Sequence, residues 1–446
     1  MVWVTYNILF VMGFAALLPR FLLRMARRGG YAKDFSQRVA RYAPEVAARL
    51  AETRRVWVHA VSVGEIYVAL NLMKEWRARR PSLRFVLTTT TSTGHALAAK
   101  AMDPNDVLLY FPLDLPNIMR RVLDLIQPQA LVLVELELWP NLVRLAHDRA
   151  IPVVLVNGRI SDHSFRGYRR VHYFTSRLLP KIDLFCVQTR TDGDRLAALG
   201  APRNRIQVLG SAKYDVAETD LAGAATARAI LAEAQIPEHY QIVVGGSTWP
   251  GEEHALLDVY KSLKTRHGHL TLVLAPRHME RSDDVEREIK DHALTFVRRS
   301  SLGKSPARKA PPQVFLLDTT GELKNFYACA DVIFVGKSLT QRGGQNPIEP
   351  ALYGKAIVCG PYMDNFRGVL DDFRSADAIV HVTDLQNLRR AIDDLLSSQQ
   401  RRESLGQRAA QLVRDKRGAL ARTLDLLDRA LDQIESPPRA AVGNPD

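Results

Sequence analysis

The sequence predicts an α/β chain built as two Rossmann-like, doubly wound halves with a cleft between them, preceded by an N-terminal membrane-anchor helix. Three observations carry this expectation. The strand-like runs are continuously apolar and rich in β-branched residues rather than alternating, so both of their faces are covered, as in parallel sheet. These runs alternate with stretches of helical composition in two series, with a strand-free pause between them. Finally, 446 residues at 46% hydrophobic content exceed what one core usually supports.

In chain order, residues 1–25 read as the anchor and its basic flank. Positions 2–18, VWVTYNILFVMGFAALL, carry no charge and are apolar apart from Thr5 and Asn7. Between Arg20 and Arg41, seven cations (Arg20, Arg24, Arg27, Arg28, Lys33, Arg38, Arg41) stand against one acid, Asp34. The run is slightly shorter than the ~20 residues of a spanning helix. Its basic flank places the rest of the chain on the cytoplasmic side, against anionic headgroups. A signal peptide would carry positive charge before the run and a small-residue cleavage site after it; neither is present. A helix packed on the protein is the other alternative.

The first half spans 26–215, with strand runs at 56–61, 84–90, 107–113, 130–137, 151–158 and 184–189. Residues 216–240, rich in Ala and Glu, read as a linker. The second half, 241–435, carries runs at 241–247, 270–276, 295–300, 314–319, 331–336, 356–361 and 378–382. Residues 303–312 read as a mobile surface loop and 436–446 as a disordered tail.

Charge and cysteine content narrow the partners. A net charge of +13 favours an anionic one. Nucleic acid is disfavoured, because the basic surplus is largest beside the anchor and lacks interleaved aromatics. Cys186, Cys329 and Cys359 form no CxxC pair and fit a reducing compartment.

Common site signatures are missing. No GxGxxG follows a strand, and neither GKS has the glycine spacing of a phosphate loop. There is no HExxH and no Cys/His metal cluster, so neither zinc chemistry nor a metal site is expected. Asp192-Gly193-Asp194 could bind a metal-bridged diphosphate, but carboxylates at this spacing after a strand more often start a helix. What remains is a polar cluster after almost every strand: Ser62, Gly64 and Glu65; ELELWPN with Glu135 and Glu137; NGRIS at 157–161; GSAKYD at 210–215. The second half adds GGSTWPGEE at 245–253, APRH at 275–278, DTTGEL at 318–323 and GGQNPIEPA at 343–351. Eight such clusters at strand ends are hard to read as capping alone.

In this order, HAVSVGE, ELELWPN, NGRIS, GSAKYD, APRHMER, DTTGEL and GGQNPIEPA resemble the motif series of the 3-deoxy-D-manno-octulosonic acid (Kdo) transferases of lipopolysaccharide synthesis. The resemblance runs from the N-terminus to about residue 430. It implies a GT-B fold and an inverting, metal-independent, cofactor-free glycosyltransferase at the cytoplasmic side of the inner membrane. Kdo would pass from CMP-Kdo to a lipid A precursor of the lipid IVA type. The first half would bind acceptor and the second the CMP-sugar. Another GT-B transferase or epimerase, or a noncatalytic membrane-tethered nucleotide-binding protein, are the alternatives.

Residue chemistry can be set beside that implication. Glu65 lies just past a strand in a first helical turn, where the dipole favours its ionised form. It either supports the helix start or acts as a general base; the resemblance implies the base. Glu135 and Glu137, two apart on a strand, share a face that cannot be deep core and calls for a cationic partner such as Lys213. By resemblance the glutamate of ELELWPN, with Glu135 and Glu137 both candidates, and Lys213 assist acceptor handling or transition-state stabilisation, and Ser62, Gly64 and Arg159 bind acceptor. Arg277 follows a strand, placed to grip phosphate or the sugar carboxylate. Gly343 and Gly344 permit close backbone approach, and Pro347 suits the first turn of a helix directed at phosphate. By resemblance Glu349 contacts the donor ribose, and Ser247, Pro276, His278, Thr320, Gly321, Glu322, Asn346 and Ile348 complete the donor site. Family members often carry His where Gln345 stands, Gly where Lys337 stands, and His-Glu where Trp249-Pro250 stand. Gln345 keeps hydrogen bonding but cannot titrate, and Lys337 adds a cation.

Overall fold

In the computed structural model, alternate residues of each central strand enter opposite cores, which explains why the strand runs are continuously apolar. Residues 2–28, 34–216, 219–303 and 310–435 are described. The chain divides into two units: residues up to Val216 together with those from Arg417 on, and Ala217–Lys416.

The first unit holds seven parallel strands: β1 (Val56–His59), β2 (Phe85–Thr89), β3 (Val107–Tyr110), β4 (Ala130–Val134), β5 (Val153–Gly158), β6 (Leu184–Val187) and β7 (Ile206–Val208). Their order is β3-β2-β1-β4-β5-β6-β7. Trp57, Leu131 and Leu133 pack on one face; Val56, Val58, Val132 and Val134 pack on the other. The sequence missed β7, a three-residue edge strand with two exposed residues.

The second unit repeats the plan with β8 (Gln241–Thr248), β9 (Leu270–Pro276), β10 (Phe296–Arg298), β11 (Val314–Leu316), β12 (Val332–Val335), β13 (Ala356–Cys359) and β14 (Val380–His381). All pairings are parallel, in the order β10-β11-β9-β8-β12-β13-β14. Again Val332 and Phe334 enter one core and Ile333 the other.

Three segments differ from expectation. The 216–240 stretch contains a helix, Leu221–Glu233, whose Ala227, Ile230 and Leu231 are part of the second unit's core rather than a bare connection. The last helix, Ala419–Glu435, belongs with the first unit, although 241–435 was expected to be one half. Leu420, Leu424, Leu427 and Leu431, at helical spacing, enter the core beneath β1 and β4. Asp215 fixes the start of this helix by accepting from the amides of Gly418 (2.6 Å) and Leu420 (2.8 Å).

The third difference is at the N-terminus. Among the described residues no helix is long and apolar enough to cross a membrane, so the expected spanning anchor is not found. Helix Val2–Arg28 instead starts docked on the first unit. Tyr6 donates to Asp114 (2.9 Å), Asn7 accepts from Asn141 (2.8 Å), and Trp3 meets Phe174 edge-on. Of the two polar residues that interrupt the apolar run, Asn7 lies with Trp3 and Tyr6 on its protein-facing side and Thr5 is exposed, as are Val4, Ile8, Leu9, Val11 and Met12. Most of the 303–312 loop and the 436–446 tail lie outside the described residues.

Candidate active site

In the first unit β1 and β4 are neighbours, yet the chain leaves them toward opposite edges of the sheet. Their carboxyl ends form the switch point at which open α/β sheets hold ligands. Past β1, Ser62 caps helix Val63–Arg79 by accepting from the Glu65 amide (3.3 Å). The Glu65 carboxylate turns back and accepts from the Val61 amide through Oε2 (2.8 Å). The capping role considered for Glu65 is thus realised, and it occupies one carboxylate oxygen. Glu65 is only 7% exposed. Burial pushes its pKa up and the charge of Glu135 adds to this, against the hydrogen bonds from Ser62 and Val61.

Past β4 the strand geometry ends before the two glutamates. Glu135 sits at φ 58°, a left-handed conformation that costs a non-glycine residue about 1–3 kcal/mol and is characteristic of functional loops. Strand periodicity therefore does not set the directions of Glu135 and Glu137. Lys213 Nζ lies 3.0 Å from Glu135 Oε1 and is the cationic partner the sequence called for. Glu137 is pushed up to about 7, first by burial and then by the charges of Glu65 and Glu135. Three carboxylates thus share one end of the sheet. One is balanced by lysine, and the others hold their protons more tightly than free side chains do.

The surrounding frame is polar and fully joined. Asn157, also left-handed (φ 54°), is the penultimate residue of β5 and accepts from the Ala212 amide (3.0 Å), tying the GSAKYD segment beside NGRIS. Ser62 and Gly64 are exposed and Arg159 is half-buried, each at a strand's carboxyl end. Below them Trp139 donates to His59 Nε2 (3.0 Å). An indole N–H can only donate, so His59 carries its proton on Nδ1, beside Thr88 Oγ1 at 2.9 Å. Complete burial holds the imidazole neutral, down to about 3. The DxD resolves as capping: Asp192 and Thr189 form a reciprocal capping box, and Asp192 also accepts from the Ile160 amide.

In the second unit the switch point lies between β8 and β12. Ser247 (φ 52°), at the irregular end of β8, and Lys337 (φ 55°), just past β12, again have left-handed backbone. Glu252, fully buried, joins the two segments. Its carboxylate accepts from the amides of Trp249 (2.9 Å), Lys337 (2.7 Å), Ser338 (2.9 Å) and Leu339 (2.9 Å). Sequence reasoning missed this residue; its only signal was a pair of glutamates at a helix start. The neighbouring Glu253 accepts from Thr248 and Arg281.

The expected donor residues gather around this frame. Trp249 packs edge-on to His278, and Lys337 Nζ stands 4.3 Å over the Trp249 ring, so two departures from the family pattern meet in a cation–π contact. Lys337 O accepts from the Gly344 amide (2.7 Å). Gly344 has φ 73°, and a Cβ there would approach the Met363 Cα to 3.0 Å, so glycine is required. Gly343 holds Asn365 through its carbonyl (2.8 Å). Asn346 donates to Glu349 (3.2 Å) and accepts from the Ile348 amide (3.0 Å). Burial pushes Glu349 up, while Asn346, Lys324 and Arg277 oppose this. Arg277 and His278 are exposed just past Pro276, the end of β9.

Two expectations change here. Pro347 caps a helix of only five residues, Ile348–Leu352, too short for a strong dipole toward phosphate. Glu322 is engaged by Thr319 and by Arg299 (3.2 Å) rather than standing open, while Thr320 and Gly321 are exposed beside it.

Comparison with known proteins follows this geometry. Residues 33–216 match the family model described as 3-deoxy-D-manno-octulosonic-acid transferase (kdotransferase). The 3-deoxy-D-manno-octulosonic acid transferase of Bordetella pertussis is 33% identical, covering 93% of this chain and 96% of its own. That of Haemophilus influenzae is 31% identical, covering 93% of both. In fold, the chain is similar to Anabaena HepE in complex with UDP, with a TM-score of 0.57 at 13% identity, covering 85% of this chain and 100% of that one. The UDP-GlcNAc 2-epimerase of Neisseria meningitidis gives 0.51 at 12%, covering 84% and 100%. These structural likenesses establish a GT-B-like architecture of two parallel seven-stranded sheets and nothing about substrate. Identity of 31–33% along nearly the whole length, and so across both units, places the chain in the 3-deoxy-D-manno-octulosonic acid transferase family.

Proposed function

We propose that the protein transfers Kdo from CMP-Kdo to a lipid A precursor of the lipid IVA type, with inversion and without a catalytic metal. The observation that carries this reading is the buried Glu65 beside Glu135, Glu137 and Lys213 at the β1/β4 switch point. Transfer forms a bond from an acceptor hydroxyl oxygen to the anomeric carbon of Kdo and breaks the bond from that carbon to the phosphate of CMP. The hydroxyl proton goes to Glu65, and CMP departs with the bonding electrons. Glu65 keeps an oxygen for this while its other is held by Val61, which fixes the carboxylate in one orientation. Lys213 holds Glu135 and limits the build-up of negative charge around the base. Ser62, Gly64 and Arg159 border the acceptor.

The second unit would hold the donor. Arg277 supplies the charge for phosphate or for the Kdo carboxylate. Glu349, oriented by Asn346, takes the ribose hydroxyls. The backbone around Gly343 and Gly344, fixed through Lys337 and Glu252, borders the nucleotide. Ser247, Thr320, Gly321 and Glu322 complete this region. A single phosphodiester has no diphosphate for a metal to bridge.

At the membrane, the exposed apolar side of helix Val2–Arg28 would lie in the interface of an anionic leaflet rather than cross it. This keeps the enzyme beside a lipid acceptor, on the cytoplasmic side of the inner membrane.

The test is release of CMP by purified protein. CMP is expected only when CMP-Kdo and the lipid A precursor are both present. Acceptor-independent release, or none with either sugar donor or acceptor varied, would refute the assignment.

A further inference from the structure

We propose that His254, Asp258 and His292 form a binding site for one divalent transition-metal ion of the zinc class, joining the helices that follow β8 and β9. The sequence held no local metal motif, because this group forms only when two helices meet. His254 and Asp258 lie one turn apart on helix Glu252–Leu263, and His292 caps the carboxyl end of helix Ser282–Asp291. One ligand atom from each residue lies within 4.8 Å of the others. His254 Nε2 is 3.5 Å from Asp258 Oδ2, and His292 Nε2 is 3.3 Å from Asp258 Oδ1. The two imidazoles stand edge to face with centroids 4.7 Å apart. Zinc bonds of about 2.0–2.2 Å put tetrahedral donors roughly 3.3 Å apart, close to both separations.

The proton positions point the same way. His292 Nδ1 is 2.7 Å from the Glu288 carbonyl oxygen, which can only accept. Nδ1 therefore carries a hydrogen, and in the neutral ring Nε2 presents a lone pair to a carboxylate oxygen. A metal ion placed between the two histidines and Asp258 would take that lone pair and the carboxylate oxygens together. A ring nitrogen anchored on a main-chain carbonyl, with the other directed at a metal, is the usual arrangement of histidine ligands. Glu288 adds a further acceptor: its Oε2 is buried without a hydrogen-bond partner among the described residues. Two imidazoles and a carboxylate suit zinc, cobalt or nickel better than magnesium or calcium.

The site is separate from the transfer chemistry and acts on stability. It would clamp the first helix two residues from Glu252, which holds the segments after β8 and β12. Binding to the folded state alone raises the unfolding temperature with ion concentration.

The experiment uses the full chain with its affinity tag removed and chelator dialysed away. Zn²⁺ is titrated calorimetrically, and Co²⁺ absorption reports coordination geometry. His254→Ala and Asp258→Asn change exposed side chains and spare the fold; His239→Ala, at an aromatic pair with His269 elsewhere in the unit, is the control. We expect one ion per chain, affinity weakened about tenfold or more in both site variants, the control unchanged, and a zinc-dependent rise in Tm lost in His254→Ala. Absence of saturable binding, or equal affinity in the site variants, would overturn the proposal and leave the three side chains as an ordinary polar contact between two helices.

Discussion

At position 65 a glutamine would still accept from the Val61 amide but could not take a proton. Glu65→Gln is therefore expected to lower kcat about 10²–10⁴-fold while stability changes by less than about 1 kcal/mol. Glu65→Ala should lose both activity and the cap, at a further ~1 kcal/mol; paired kinetics and denaturant titrations separate the two effects. Glu137 gives a pH test. Its folded pKa of about 7 exceeds the ordinary 4.5, so the folded chain holds the proton more tightly than the unfolded one. The resulting stability is fully present below about pH 4.5 and is lost as pH rises through 7. Relative to wild type, Glu137→Gln should thus gain stability from pH 5 to pH 8, on the order of 2 kcal/mol; Tm measured across that range checks it. At this scale the sequence exposed the strand-end position of Glu65 and a cationic partner for Glu135. It did not expose Glu252, since four backbone amides from two distant loops meeting one carboxylate leave no local pattern.

Elements were legible wherever burial on both faces wrote a continuous apolar run. Six strands of the first unit and five of the second announce themselves that way; β10 and β14 are only partly buried yet lie in short runs the sequence marks, and β7 does not stand out because it is short and half exposed. The last helix was legible as a helix but not as part of the first unit. Its leucine stripe says that a core is covered, not which one. Leu424→Ala should cost the first unit about 2–5 kcal/mol, and Asp215→Ala, which removes the acceptor for two amides at the helix start, about 1–2 kcal/mol. Hydrogen exchange in helix Val63–Arg79, whose Trp76 donates to Asp428, should report both losses. The N-terminal helix taught a related lesson. Asn7 interrupts the apolar run and, with Tyr6, makes its polar contacts to the protein, while Thr5, the other interruption, is exposed.

At the scale of the whole molecule, the proposed attachment to an anionic surface rests on the exposed apolar side chains of the first helix and on the basic composition of the sequence from Arg20 onward. Vesicle flotation should show binding that weakens with salt and is largely lost in an Ile8→Asp, Met12→Asp double variant, while that variant still turns over detergent-dispersed acceptor. Fold and family were legible because they are written in motif order along the chain; the packing of the two termini was not, since it depends on contacts distant in sequence. The most direct test of the central claim is single-turnover transfer from CMP-Kdo to lipid acceptor, followed by product mass, in wild type and Glu65→Gln. The account predicts a product heavier by Kdo in wild type and a variant that binds both ligands but transfers at least about a hundredfold more slowly. Equal single-turnover rates in the two proteins would contradict it.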